Sequence, residues 1–229
     1  MSGADYFVWL DGKRPESSIS TLKSVQKTLQ SLYPTVHVRI SRPAVLIEFA
    51  GGTERVGIIP AFSPGTVVGE DPRFRVPGVA EEWMSACPVA HSEWLERCNA
   101  VPGVRGGAKS LARLARAWRH FRDVPVSSFY LEMRAAEYMA GRSAVVLPYD
   151  VRNFFATLLW DGLAPMEDPT GGARAIEATA PHVRDEAILK LANAAGWAES
   201  ALKHMRMGEP DQAFQQWNHI FGGRFPSFY

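Results

Sequence analysis

The stretch Arg55-Val56-Gly57-Ile58-Ile59-Pro60-Ala61-Phe62 decides the fold, because it is the last of three short apolar runs that follow one another closely. The two earlier runs are Val36–Ile40 and Ala44–Ala50, and Gly51-Gly52-Thr53 separates the second run from the third. Short runs rich in Val and Ile that are bounded by Gly and Pro predict β-strands. The close spacing therefore predicts antiparallel strands that form a sheet near the start of the chain.

The regions on either side of these strands complete a mixed architecture. The apolar run Asp5–Leu10 predicts a buried strand, and Ser18–Tyr33 has the apolar spacing of an amphipathic helix. From Glu81 onwards the pattern is helical. The longer helices are predicted over Gly106–Phe121, Ser127–Met139, Tyr149–Leu163, Ala178–Gly196, Glu199–Met207 and Pro210–Phe221. We expect an α+β fold, with a sheet lobe over residues 1–80 and a helical lobe over residues 81–229.

Composition limits the classes of function. The formal net charge is +1 over 229 residues, so no overall positive field attracts nucleic acid, and specific DNA binding is not expected. A polyanion would need a local patch, and the obvious candidate is Arg105–Arg122, where basic residues recur at roughly helical spacing. No apolar run approaches the ~18 residues of a membrane span. The first residues lack the pattern of a signal peptide, so we expect a cytoplasmic protein with no membrane association.

Familiar catalytic motifs are missing from the sequence. The six histidines have no metal-binding spacing. The chain contains no Gly-x-Ser-x-Gly elbow of a serine hydrolase and no phosphate-binding loop ending in Gly-Lys-Ser/Thr. The glycine-rich segment Val101–Gly107 therefore predicts a turn.

Two segments of the helical part carry a family resemblance when they are taken in order with the third strand. Leu111–Trp118 places Arg116 two residues before a tryptophan, and Ser128-Phe129-Tyr130-Leu131-Glu132 follows as Ser-x-x-Leu-Glu. The other matching positions are Pro60-Ala61, Trp83, Pro88, His91, Gln216–Gly222 and Phe225-Pro226. Together these motifs resemble the bacterial cyclic-oligonucleotide synthases, the cGAS/DncV-like nucleotidyltransferases or CD-NTases, from about Asp5 to the end of the chain.

The resemblance implies a fold and a chemistry. The fold is a polymerase-β-like nucleotidyltransferase sheet that carries the metal ions, with a C-terminal helical lobe that closes the nucleotide cleft. Family members join nucleotides into cyclic products that activate antiphage effectors. Their carboxylates hold two Mg²⁺ ions, which activate the attacking hydroxyl and neutralise charge on the triphosphate. Mg²⁺ would therefore be the cofactor of an active enzyme.

The metal-binding positions depart from the family pattern. The Gly-Ser loop that cradles phosphates in the family would precede Met1. The Asp-x-Asp pair falls on Gly3 and Asp5, so Asp5 remains as the residual catalytic and metal-binding carboxylate. The third aspartate falls on Gly57. A missing N-terminal segment would explain the lost loop and Gly3, but Gly57 is internal, and its replacement by Glu54 would need a register shift.

The nucleotide-facing positions fit the family better. Arg116 matches the basic residue that grips the triphosphate, Ser128 matches the helix-opening serine beside it, and Phe129 matches the aromatic residue that stacks on a base. Each also has a structural interpretation. Arg116 would then be a solvated arginine, Ser128 a helix cap and Phe129 a core residue.

Three hypotheses of function remain open. The chain is a catalytically degenerate CD-NTase, a pseudoenzyme of antiviral defence that binds a nucleotide or cyclic nucleotide or acts as a regulatory partner. Alternatively, it is an active Mg²⁺-dependent cyclic-oligonucleotide synthase whose N-terminal segment is missing here. The third alternative is a protein-interaction module that binds no nucleotide. A protein partner or a homodimer contact would cover an exposed sheet edge.

Overall fold

The computed structural model describes residues 2–49, 51, 54–63, 73–78, 82–171 and 175–226, and for residues 2–4 it describes the backbone alone. The chain divides into two compact units. The first contains Met1–His91 and Pro169–Ala173, and the second contains Ser92–Asp168 and Arg174–Tyr229. The boundary at residue 80 expected from the sequence falls inside the first unit, because residues beyond it still pair with the sheet.

The first unit is built on a six-stranded sheet with one helix, α1, at Ser18–Leu32. The strands are β1 Ser2–Leu10, β2 His37–Ser41, β3 Ala44–Phe49, β4 Glu54–Phe62, β5 Phe74–Pro77 and β6 Trp83–Ala86. Strands β2 to β6 pair in chain order, and β1 pairs in parallel with β4. Because β3 already pairs along the first half of β4, β1 lies on the opposite edge of that strand.

The register of the sheet decides which side chains share a face. Asp5 of β1 lies opposite Gly57 of β4, which lies opposite Leu46 of β3. The alternate residues form the other face, where a core around Val45 and Ile47 packs against Leu22 of α1. One face of the sheet is therefore covered by α1, and Asp5 and Gly57 lie on the other.

The start of α1 is capped from a distance. The backbone N–H and the hydroxyl of Ser18 both donate to the carboxylate of Glu82, at 2.6 and 2.9 Å. These hydrogen bonds hold the pKa of Glu82 below its usual value, and the bond from the backbone N–H has the larger effect. The neighbouring residue Ser17 makes no side-chain cap. Glu82 therefore satisfies a helix terminus whose own sequence does not supply the cap.

Three features of this unit differ from the sequence prediction. Strands β5 and β6 were not predicted, and β6 lies in the region where the pattern was helical. Strand β1 was predicted to be buried, but Tyr6, Phe7, Val8 and Trp9 are all exposed. That prediction was wrong because β1 lies at the edge of the sheet, where neighbouring elements do not cover it.

The second unit is helical. The helices are α2 Pro88–Asn99, which begins in the first unit, α3 Gly107–Phe121, α4 Ser128–Ala140, α5 Leu147–Trp160, α6 Arg184–Arg206 and α7 Pro210–Ile220. The sequence predicted two helices in place of α6, separated near Gly196. A single exposed glycine costs about 1 kcal/mol in a helix but does not end it. The buried stripe of Leu191, Ala194, Ala198 and Leu202 runs on past Gly196, so the helix is continuous.

One core holds the helical unit together. Trp118 of α3 and Phe155 of α5 are fully buried, and their ring centroids lie 4.9 Å apart. Tyr130 of α4 is also buried, and its hydroxyl donates to the backbone oxygen of Ala164 at 2.9 Å. Burial raises the pKa of Tyr130. Among the described residues, no helix is both long and apolar enough to span a membrane.

Candidate functional site

The first candidate group, in the sheet unit, is the cross-strand pair of Asp5 and Gly57. A Cβ atom built on Gly57 would lie 2.0 Å from Oδ1 and 3.1 Å from Cγ of Asp5, and 3.4 Å from Cδ2 of Leu46. Gly57 lies in a strand, and residues with a side chain can also adopt its extended backbone conformation. The space above Gly57 is therefore filled by the Asp5 carboxylate, which would have to shift to admit a side chain at position 57.

The next row of the same face is a cluster of charges. Gly3 lies opposite Arg55, which lies opposite Glu48. The Glu48 carboxylate contacts His37 at 2.8 Å, Arg39 at 3.0 Å and Arg55 at 3.5 Å. Hydrogen bonds from His37 and then Arg39 hold the pKa of Glu48 below its usual value. Glu48 is thus already neutralised by basic side chains and is not available to a cation.

The residues present do not fit the two Mg²⁺ ions that the family resemblance implies. Asp5 is the one carboxylate at the pair, and Glu54 lies three residues along β4, opposite Ser2, so the register shift that would bring it to position 57 does not occur. Across the part of the chain that the structure describes, no group of three or more His, Cys, Asp or Glu side chains could hold a metal ion. Two-metal chemistry needs several oxygen ligands around both ions, and a single carboxylate does not provide them.

The second candidate group, in the helical unit, includes the N-terminus of α4. Ser127 is the N-cap, and its hydroxyl accepts a hydrogen bond from the N–H of Tyr130 at 3.3 Å. The N–H of Ser127 donates to Ala178 at 2.7 Å, which fixes the entry of the chain. Ser128 is the first residue of the helix, and its hydroxyl has no partner among the described residues. The capping role falls to Ser127, so Ser128 is free to bind an anion at a helix N-terminus.

Arg116 lies on the exposed side of α3, which packs against α4. Among the described residues it has no ion-pair partner. The other basic residues of this helix do not form one uniform stripe. Lys109 pairs with Glu96 at 2.6 Å, and Arg119 donates to the backbone oxygen of Val126. Structural contacts thus engage some of the basic residues and leave Arg116 open to a ligand.

Four aromatic side chains are exposed among the described residues of this unit: Phe121, Phe129, Tyr149 and Trp160. Phe129, in the first turn of α4, is 39% exposed and is therefore not a core residue. Trp160, at the end of α5, is 90% exposed. Helical spacing carried no signal that separates Trp160 from the buried Trp118. The ion pair of Arg134 with Asp161 places the end of α5 beside the first turns of α4.

The predicted residues are divided between the two units. Gly3, Asp5 and Gly57 lie on adjacent strands of the sheet unit. Arg116, Ser128 and Phe129 lie on two packed helices of the helical unit.

This chain is similar to known proteins in sequence and in fold. No protein-family model matches the chain. The cyclic AMP-AMP-AMP synthase of Acinetobacter sp. is 27% identical over 157 residues, which are 64% of this chain and 44% of that protein. The structure of CdnC from E. coli MS115-1 with ATP matches with a TM-score of 0.69 and 16% identity, over 97% of this chain and 78% of that one.

A second solved structure has the same arrangement. The 3′-deoxy GTP bound form of DncV from Escherichia coli matches with a TM-score of 0.72 and 15% identity, over 96% of this chain and 62% of that one. The chain spans less than half of the length of the curated relative that it matches. These similarities confirm the predicted α+β fold, with a nucleotidyltransferase sheet and a helical lobe, and they confirm the resemblance drawn from the sequence motifs.

Proposed function

We propose that this chain, a CD-NTase in its fold and sequence resemblance, binds a nucleotide through its helical unit and does not catalyse two-metal nucleotidyl transfer. The observation that carries the proposal is the pair of Asp5 and Gly57. The Asp5 carboxylate lies where a side chain at position 57 would begin. The pair therefore has one carboxylate where the family pattern has an aspartate at each position. The basic cluster around Glu48 on the same face is also unsuited to a divalent cation.

The helical unit keeps the chemistry that a nucleotide needs. Arg116 supplies a guanidinium group that can bind phosphate through two parallel hydrogen bonds. Ser128 adds a hydroxyl at the positive end of a helix dipole. Phe129 offers an exposed ring on which a base can stack. Solved neighbours carry ATP or 3′-deoxy GTP in their names, which supports a nucleotide as the ligand class.

The role that follows is regulatory. A CD-NTase-like chain that binds a nucleotide or a cyclic nucleotide without consuming it can report the nucleotide state of an antiphage signalling system to a protein partner. The alternative is an active Mg²⁺-dependent synthase that is completed by sequence outside this chain. The curated relative favours that alternative, because it is named as a synthase and the match covers 44% of its length.

Nucleotide binding is tested by thermal unfolding of the purified chain with ATP, GTP and a cyclic dinucleotide, with Mg²⁺ or with EDTA. A ligand at a hundredfold excess over its Kd stabilises the folded state by about 2.7 kcal/mol. We expect stabilisation that does not depend on Mg²⁺, and we expect Arg116→Glu to abolish it. Arg105→Glu is the matched control, because Arg105 is an exposed arginine before α3, about 16 Å from Arg116 at 1.5 Å per residue.

The outcomes separate the three functions. Equal losses in both arginine variants would mean that general charge, and not a site at Arg116, attracts the nucleotide. A cyclic or linear product from labelled nucleotides with Mg²⁺ would overturn the degenerate assignment and favour the synthase. If no nucleotide changes the unfolding temperature, the chain is an interaction module that has lost its ligand.

A further inference from the structure

The outer edge of β1 is one of the unpaired edges of the sheet among the described residues. The strand is nine residues long and pairs with β4 along its whole length. Among the described residues no strand pairs with its other edge, so a row of backbone N–H and C=O groups faces outward. Proteins usually blunt such an edge with lysine, proline or a bulge. From Asp5 to Leu10 this strand has none of these, and Asp5 is its one charged side chain.

The side chains of β1 are exposed on both faces of the sheet. Tyr6 and Val8 point to the face that α1 packs on, and they are 56% and 37% exposed. Phe7 and Trp9 point to the other face, and they are 43% and 63% exposed. A helix docked on either face would cover only one of these pairs. A β-strand added at the edge places its own side chains beside both pairs and also satisfies the open backbone groups.

We propose that β1 pairs antiparallel with β1 of a second copy of this chain and so joins two sheets edge to edge. A second copy fits because the strand is complementary to itself. With a twofold axis at Phe7, Tyr6 lies opposite Val8 and Asp5 lies opposite Trp9 of the other copy. The two Asp5 residues are then four positions apart, about 13 Å along the strand, so their charges do not clash.

The exposed area sets the strength of this contact. Fully exposed aromatic side chains present about 150–250 Å² each, so the open parts of Tyr6, Phe7 and Trp9 supply about 300 Å² per copy. Two copies supply about 600 Å² before the backbone is counted, below the ~1,200 Å² of a stable interface. The dimer is therefore weak and reversible, and its population depends on the protein concentration.

The test is sedimentation of the purified chain from low to high micromolar concentration, without nucleotide. The average mass of the wild type should rise toward that of a dimer, and Tyr6→Lys should remain a monomer at every concentration. Leu32→Lys is the matched control, because Leu32 is 66% exposed and belongs to the end of α1 and not to β1. Circular dichroism checks that each variant is folded.

Hydrogen exchange on the wild type gives a second, independent measurement. Amides of β1 should exchange more slowly as the concentration rises, while those of α1 should not change. A wild type that stays monomeric overturns the proposal, and so does a dimer that survives Tyr6→Lys or leaves exchange in β1 unchanged. None of these results depends on nucleotide binding, so a failure here is distinct from a failure of the proposed function.

Discussion

Replacing Gly57 with alanine tests whether Asp5 has taken over the space of a lost side chain. The added Cβ would lie 2.0 Å from Oδ1 of Asp5, well inside contact distance, and 3.4 Å from Cδ2 of Leu46, which is an ordinary contact. The backbone does not oppose the change, because Gly57 lies in an extended strand. Any penalty must therefore come from the displacement of the Asp5 carboxylate.

Two terms of similar size decide the result. Alanine in place of glycine within a strand stabilises the folded state by about 0.5–1 kcal/mol, because the unfolded chain loses less freedom on folding. Forcing Asp5 out of its rotamer costs about 0.5–1.5 kcal/mol. In the wild type these terms nearly cancel, so Gly57→Ala should leave stability almost unchanged. In an Asp5→Ala background the penalty disappears, and the same substitution should stabilise by about 0.5–1 kcal/mol.

Urea unfolding of the two single variants and the double variant measures this coupling. We expect an interaction energy of about 0.5–1.5 kcal/mol between positions 5 and 57. Asp5→Asn is the control, because it keeps the shape of the side chain and removes its charge, and it should behave like the wild type. Effects that add to within about 0.3 kcal/mol would refute the argument, since the two positions would then be independent.

Two further predictions separate structural from ligand-binding roles. Ser127→Ala removes the cap of α4 and should cost about 1 kcal/mol in urea unfolding without changing nucleotide affinity, whereas Ser128→Ala should weaken nucleotide binding in a titration and leave stability unchanged. Glu82 has a lowered pKa, so its charge stabilises the fold above its ordinary pKa of 4.5 and this contribution disappears as the pH falls through the lowered value. Glu82→Gln should therefore be less stable than the wild type at neutral pH and equal to it in acid; a deficit that persists in acid unfolding would show that the charge is not responsible.

The strands of the first hairpin were predictable because their side chains alternate. The runs at Val36–Ile40 and Ala44–Ala50 match β2 and β3 to within a residue at each end. The four-residue strands β5 and β6 are too short to give a period, and they form through pairing with each other. The cap of α1 could not be predicted from the local sequence, because Glu82 lies 64 residues from Ser18 along the chain.

The candidate site was predictable in its residues but not in its contacts. Sequence motifs matched Asp5 and Gly57 to two metal-binding aspartates of the family. The register of β1 and β4 brings the two residues directly opposite each other. Motifs do not show that the Asp5 carboxylate fills the space over Gly57, because that depends on a side-chain rotamer. The motifs also did not predict that Glu48 would form ion pairs with basic side chains of two neighbouring strands, or that Trp160 would be exposed.

The pair of Asp5 and Gly57 forms a self-consistent arrangement without a metal ion. Glycine is unfavourable in a strand by about 0.5–1 kcal/mol relative to alanine, and the extended backbone at this position does not require it. The position is therefore explained by what lies above it, which is the Asp5 carboxylate. An aspartate at position 57 would have to push Asp5 aside and would then hold two carboxylates in contact, which is unfavourable unless a cation lies between them. One carboxylate at the pair is therefore the arrangement that needs no cation, and this supports the proposal that the chain binds a nucleotide without two-metal catalysis.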